Sequence, residues 1–261
     1  MNDKLKVLGL DIETSPSTSY LWSLWSEINS YDFIQKDFRI LCFSAKWLGE
    51  KKMISSSLVD FPNEYKKNPE NDKLVLEKLW KLMDEADIIY GHNIADFDIK
   101  KINARFIING MLPPSSYRTI DTLLACRRYF GFMSNKLNDV SQMLGLGKKK
   151  ETGGFKLWKD CLLGDKKAWN KMVSYCKNDV VLLEKVYLKL RPYILQHPHM
   201  NIQSGKVCCP KCCSEDINFR GYSMNSTGKF KRFVCKSCGG WGSLKINELS
   251  KEDRKVITKN G

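Results

Sequence analysis

The sequence predicts an α/β protein, a sheet flanked by helices, followed by a small metal-bound module. Three observations carry this. The first third alternates apolar and polar residues as strands do; residues 71–191 alternate short apolar runs with helical periods; and six of the ten cysteines crowd into residues 208–238. With 261 residues the chain is long enough for one core of ordinary domain size plus a smaller unit.

The first strand is Val7-Leu8-Gly9-Leu10-Asp11-Ile12-Glu13-Thr14, apolar until it presents two carboxylates and stops at Ser15-Pro16. Side chains alternate across a strand, so Asp11 and Glu13 share one face. Two like charges side by side at the end of a buried strand repel unless a cation lies between them. An isolated Asp-x-Glu is more often a solvated strand end, so its weight depends on further acids downstream.

Residues 19–25, 39–47 and 52–55 read as neighbouring strands with a connecting loop. Tyr20, Trp22 and Trp25 alternate as core residues do, with stacking on bases as the rival role. Leu74, Leu76, Leu79, Trp80, Leu82 and Met83 mark an amphipathic helix over 71–86. A short buried strand follows at 87–93, ending in Gly91-His92-Asn93, and a helix opens at Phe97-Asp98. Asp98 then lies in a first helical turn, where the macrodipole favours an anion.

After Pro113-Pro114, residues 118–121 read as a strand, 122–130 as a helix, and 134–145 as a short helix halted by Gly145 and Gly147. The lysines at 148, 149, 150, 156, 159, 166 and 167 read equally as a solvated face or as one that meets phosphate. A long helical period runs from Lys166 to about Arg191, on which Tyr175 and Asp179 share a face. Pro192, Pro198 and Ser204-Gly205 mark a linker at 196–205 that separates a first domain, 1–195, from the cysteine-rich segment.

Lys and Arg number 43 against 29 Asp and Glu, net +14, which favours a polyanionic partner, most simply a nucleic acid. The N-terminus lacks an apolar signal region and no apolar run approaches a membrane span. A soluble, cytoplasmic protein without a membrane partner is therefore expected.

Asp11-x-Glu13 at a strand end, Gly91-His92-Asn93 followed by Phe97-Asp98 at a strand-to-helix turn, and Tyr175-x-x-x-Asp179 on a late helix together form a known pattern. Over roughly residues 5–191 the chain resembles the DnaQ-like 3′-5′ exonucleases of the RNase H-like superfold, the branch with four acids and a tyrosine. Gly-x-Asn-x-x-x-Phe-Asp, and Ser134-x-Lys136-Leu137-Asn138 followed by Leu144-Gly145, resemble the proofreading domain of family-B DNA polymerases, although no polymerase domain follows here. The sister branch places a histidine where Ser174 stands, which leaves His92 a structural role.

The resemblance implies a mixed sheet flanked by helices. It also implies that Asp11, Glu13, Asp98 and Asp179 hold two Mg²⁺ or Mn²⁺ ions, with Asp11 bridging them and Asp98 near the second ion directly or through water. Tyr175 would orient the attacking water, and backbone around Thr14 would grip the terminal 3′ nucleotide. Asn93, Phe97 and Lys136 join Thr14 as expected nucleic-acid contacts. Four oxygen donors suit such hard cations on chemical grounds as well.

Cys209-Pro210-Lys211-Cys212 and Cys235-Lys236-Ser237-Cys238 have the spacing of a closed structural Zn²⁺ site, and residues 206–247 resemble a zinc ribbon. Cys208 and Cys213 flank the first knuckle and compete as ligands. Cys209 and Cys212 are preferred because proline after the first ligand fits the ribbon pattern, while Cys213 stands where ribbons often carry glycine. Residues 201–261 hold 12 Lys and Arg against 5 Asp and Glu, net +7. Arg220, Lys229, Lys231 and Arg232 are interleaved with aromatics, as phosphate contact and base stacking require. Residues 248–261 read as a charged tail that frays.

The resemblance implies metal-dependent release of nucleoside 5′-monophosphates from the 3′ end, on a single strand, with DNA favoured over RNA. The rivals are an endonuclease or RNase on the same fold and an inactive nucleic-acid-binding adaptor. A nuclease joined to a ribbon without a polymerase also resembles bacteriophage-encoded proteins, which would work in the host cytoplasm. Oligomeric state and protein partners are not set by the sequence.

Overall fold

In a computed structural model, residues 5–23, 25, 30–200, 206–226 and 228–256 are described. The end of the expected linker, 201–205, and the end of the tail, 257–261, lie outside them. The chain divides into two compact units, Lys6–Tyr187 and a second from Leu188 onward. Among the described residues, no helix is long and apolar enough to cross a membrane.

The first unit is built on a five-stranded mixed sheet. Its strands are β1 (Val7–Thr14), β4 (Ile40–Trp47), β5 (Met53–Ser57), β6 (Ile88–Gly91) and β7 (Arg118–Asp121), in the spatial order β5-β4-β1-β6-β7. β1 pairs antiparallel with β4 and parallel with β6, so the strand bearing Asp11 and Glu13 is central. Leu8, Leu10 and Ile12 enter the core from one face of β1. Gly9, Asp11 and Glu13 line the other, and a Cβ on Gly9 would sit 2.5 Å from the Tyr90 hydroxyl. Only glycine leaves room there for the Tyr90 ring, which stacks on Tyr187 at 4.4 Å.

Helix α1 (Pro62–Lys67) precedes α2 (Lys73–Asp84), which presses Val75, Leu76, Leu79 and Met83 into the core, each worth about 1.5–3 kcal/mol when fully buried. Asp72, just before α2, is fully buried. It accepts from Ile40 N–H at 2.9 Å, from Arg105 Nε at 2.8 Å and Nη2 at 2.8 Å, and from Asn109 Nδ2 at 3.2 Å. One carboxylate thus ties β4 to α2 and to α3 (Asp98–Ile108). The remaining helices of this part are α4 (Thr122–Tyr129), α5 (Leu137–Met143), α6 (Lys156–Leu162) and α7 (Lys166–Leu190).

Of the expected strand at 19–25, in which residue 24 lies outside the described residues, none of the described residues joins the main sheet. β2 (Thr18–Ser19) pairs with β3 (Ile34–Lys36) as a two-stranded ribbon outside the main sheet. Trp22 is 91% and Trp25 90% exposed, so neither belongs to a core face. Ser15 closes the base of this excursion by exchanging hydrogen bonds with Arg39: Ser15 N–H to Arg39 O at 2.9 Å, Arg39 N–H to Ser15 Oγ at 3.0 Å. The basic run 148–167 contains α6, whose Leu157 and Cys161 are buried.

In the second unit, β8 (Ile217–Asn225), β9 (Gly228–Cys235) and β10 (Trp241–Asn247) form a three-stranded antiparallel sheet in the order β10-β9-β8. The described part of the tail is not wholly frayed. A short helix, α8 (Lys251–Lys255), starts at a capping box between Ser250 and Asp253.

Candidate metal-binding active site

The four acids are delivered by one strand and two helices. The pleat of β1 sets Asp11 and Glu13 on one face, and α7 crosses that face with Tyr175 and Asp179 one turn apart. One carboxylate oxygen from each of Asp11, Glu13 and Asp179 lies within 4.8 Å of the others. Asp98, in the first turn of α3, is outside this group. Its Oδ1 accepts from the Ile12 N–H at 3.1 Å, which pins it to β1 between the two strand acids.

Burial dominates the electrostatics. It raises Asp11 to about 7, helped by the charge of Asp179, and Glu13 to about 9, helped by Asp11 and Asp179. Asp98 is raised well above the carboxylate range, by burial and then by Asp11. Asp179 is raised by burial in spite of its cationic neighbour, and its Oδ1 is buried with no hydrogen-bond partner. An all-oxygen set whose members resist shared ionisation, with one oxygen left unsatisfied, fits a hard divalent cation.

That neighbour is Lys149, which the sequence leaves within a basic run that reads equally as solvated or as meeting phosphate, with nothing to single it out. Its Nζ donates to Asp179 Oδ2 at 2.6 Å and to the Tyr175 hydroxyl at 3.2 Å. Its backbone N–H is held by Asn138 Oδ1 at 2.9 Å. Burial opposes the Lys149 charge, but Asp179 outweighs it and the ammonium is raised above its usual value. The Tyr175 hydroxyl is pushed up to about 12, by burial and then by Asp179. Its ring meets Trp158 edge-on at 6.5 Å.

The turn that delivers Asp98 is held by a second missed residue. Asp121, at the end of β7, accepts from the N–H groups of Asn93 at 3.0 Å and Ala95 at 3.2 Å, while capping α4 through Leu123 and Leu124. Asn93 takes a φ of 64°, tolerable for asparagine. His92 Nδ1 is 2.9 Å from Thr122 Oγ1, whose hydrogen goes to the Gly91 carbonyl. Burial lowers His92 to about 4, which leaves the ring neutral near pH 7.

Asn93 and Lys136 line one cleft of about 570 Å³, together with His92, Arg127, Asn138 and Lys149. A second, of about 410 Å³, is lined by Asn138, Lys149, Lys150 and Tyr175. Phe97 is 40% exposed, its ring 5.9 Å from Lys101 Nζ. Thr14 ends β1 opposite Ile40. Arg220, Lys229, Lys231 and Arg232 belong to the other unit.

There, sulfur atoms of Cys209, Cys212, Cys235 and Cys238 lie within 4.8 Å of one another. Cys208 and Cys213 are not in that group. Cys213 N–H donates to Cys209 O and Gly239 N–H to Cys235 O, both at 2.9 Å, so the knuckles close alike. Cys235 is lowered to about 7: burial opposes its thiolate, but backbone N–H donors and the neighbouring thiols prevail. Four converging sulfurs fit the closed tetrahedral site of a zinc ribbon.

The profile of the RNase H superfamily matches residues 35–191, more than half of the chain. Among solved structures, the family B DNA polymerase of the hyperthermophilic archaeon Pyrobaculum calidifontis is similar, with a TM-score of 0.52 and 15% identity over 72% of this chain. The match covers 25% of the polymerase, so this chain shares the fold of one quarter of that protein. No curated protein matches the sequence. With its mixed five-stranded sheet and the profile match across 35–191, the chain belongs to the RNase H superfamily.

Proposed function

We propose that the protein is a metal-dependent nuclease that removes nucleoside 5′-monophosphates from the 3′ end of single-stranded nucleic acid, preferentially DNA, with the zinc ribbon assisting in binding. The observation that carries this reading is the convergence of Asp11, Glu13 and Asp179 within 4.8 Å, next to the Tyr175 hydroxyl and Lys149. Polarity and product rest on the resemblance of the three acidic motifs to the proofreading exonucleases.

Asp11, Glu13 and Asp179, with Asp98 beside them, would hold Mg²⁺ or Mn²⁺, which supplies Lewis-acid stabilisation of the attacking and leaving oxygens. With its hydroxyl pushed up to about 12, Tyr175 keeps its proton near neutral pH. It therefore orients water by hydrogen bonding and does not act as the bulk base. Lys149 stays charged, holds Asp179 and Tyr175 in place, and offsets part of the carboxylate charge where a phosphate must approach. Asp98 braces β1 through Ile12. Ser134, Asn135 and Lys136, beside Asn93, offer polar lining for a strand in the larger cleft.

Matched oligonucleotides labelled at the 3′ or the 5′ end test this in Mg²⁺ or Mn²⁺. The expected result is mononucleotide from the 3′-labelled strand and a stepwise ladder from the 5′-labelled one. Internal fragments would sink the exonuclease reading in favour of an endonuclease. Asp11→Ala should abolish degradation and keep binding; unchanged degradation would discard the site.

A further inference from the structure

The pleat of the C-terminal sheet sorts its cations and aromatics onto two faces. Phe219 pairs with Phe233 and Tyr222 with Lys231, and a bulge at Arg220-Gly221 keeps both β8 rings on the same face. Lys229 and Lys231 fall there too: Lys231 Nζ lies 4.9 Å from the Phe219 ring and Lys229 Nζ 4.1 Å from the Tyr222 ring. Arg232 and Trp241 meet on the opposite face, at 4.8 Å.

The first face has a floor and a lining. Phe233 is buried, edge-on to Phe219 at 6.2 Å, and across from it a Cβ on Gly242 would come within 2.5 Å of the Phe233 ring. Above that floor Phe219 and Tyr222 stay 42% and 44% exposed. From Ile217 to Asn247 there are six Lys and Arg and no Asp or Glu. Half-exposed rings roofed by ammonium groups, in a segment without one carboxylate, complement a partner with flat π-faces and regularly spaced anions.

We propose that the face bearing Phe219, Tyr222, Lys229 and Lys231 binds single-stranded nucleic acid, with bases stacked on the two rings and the lysines turned to phosphates. This deepens the proposed function and rests on it for the nature of the partner. Duplex is disfavoured because its bases are already stacked on one another. The Arg232–Trp241 face is not the binding face.

The test is fluorescence anisotropy of the full chain on a short labelled oligothymidylate and on a duplex of equal length, in Mg²⁺-free buffer without chelator so that Zn²⁺ is retained. Tyr222→Ala, and Phe219→Leu, which keeps apolar cover over Phe233, should each weaken single-strand binding about tenfold and duplex binding far less. Tyr222→Phe and Trp241→Ala should stay within about twofold of wild type on the same scale. Lys229→Gln and Lys231→Gln should each lower the slope of log K against log salt by about 0.7.

A loss carried by Trp241→Ala, an equal loss on duplex, or unchanged binding in both ring variants with one Zn²⁺ per chain retained would overturn the assignment. Unchanged binding is also what a protein-docking face would give. Mononucleotide release by the wild-type chain is scored separately. Release with binding indifferent to the ring variants defeats this inference alone, and ring-dependent binding without release defeats the nuclease reading alone.

Discussion

At the scale of residues, the site holds more negative charge than it can bear without a cation, and Lys149 brings one from the chain itself. Burial, then neighbouring carboxylates, raise Asp11 to about 7 and Glu13 to about 9. A proton held more tightly in the folded than in the unfolded chain favours folding below the ordinary carboxylate pKa, and that contribution is lost as pH rises through the folded values. The thermal midpoint without added Mg²⁺ or Mn²⁺ should therefore fall between about pH 5 and pH 9, and millimolar Mn²⁺ should flatten the fall. A midpoint indifferent to Mn²⁺ across that range would remove the acids from the metal site. Lys149→Met should cost about 1–3 kcal/mol at pH 8, a buried-pair loss discounted for a lysine side chain that is 29% exposed. Mn²⁺ should restore most of it, whereas equal losses with and without Mn²⁺ would mean that the lysine does not offset the acids. The acids were legible because each stands at a strand end or on a helix face. Lys149 was not, because it lies in a loop 30 residues before Asp179 and only tertiary folding brings them together.

At the scale of elements, periodicity found the strands and helices that pack and misread those that do not. The helix at 71–86 and the long helix after 166 were legible because their apolar residues recur at the period of a buried face. Tyr20 and Trp22 stand two apart as on one strand face, but among the described residues no strand of the main sheet pairs with that segment, so the spacing alone specified nothing. Turns carry their own signals. Asp121 caps α4 and holds two N–H groups of the turn before Asp98, so Asp121→Ala should cost about 1–2 kcal/mol, or roughly 2–8 °C in a thermal melt. It should also slow degradation without touching substrate; full activity in a variant whose melt is lowered would limit Asp121 to capping. In the ribbon, Cys213 adopts φ 64° where Gly239 of the other knuckle adopts 75°. Replacing a left-handed cysteine by glycine relieves backbone crowding at some entropic cost, so Cys213→Gly should stabilise the ribbon by about 0.5–1 kcal/mol. Zinc should remain at one ion per chain, and its loss in Cys213→Gly would make Cys213 a ligand.

At the scale of the whole molecule, net charge and architecture make separable contributions to binding. Half of the +14 lies in residues 201–261, and those charges persist whether or not the ribbon is folded. Counterion release depends on how many cations meet phosphates, while stacking on Phe219 and Tyr222 depends on the three-stranded sheet that presents them. The sheet is small, with Phe233 and Cys235 among its few buried side chains, so a metal held by the four converging sulfurs would supply much of its stability. Cys209→Ser with Cys238→Ser should therefore abolish bound zinc and speed amide exchange over 217–247, while exchange in β1, β4 and β6 stays as in the parent chain. Binding of oligothymidylate should weaken but keep a steep salt dependence, and the preference for single strand over duplex should collapse. A zinc-free chain that retained that preference would show that charge alone, without the folded ribbon, selects the strand.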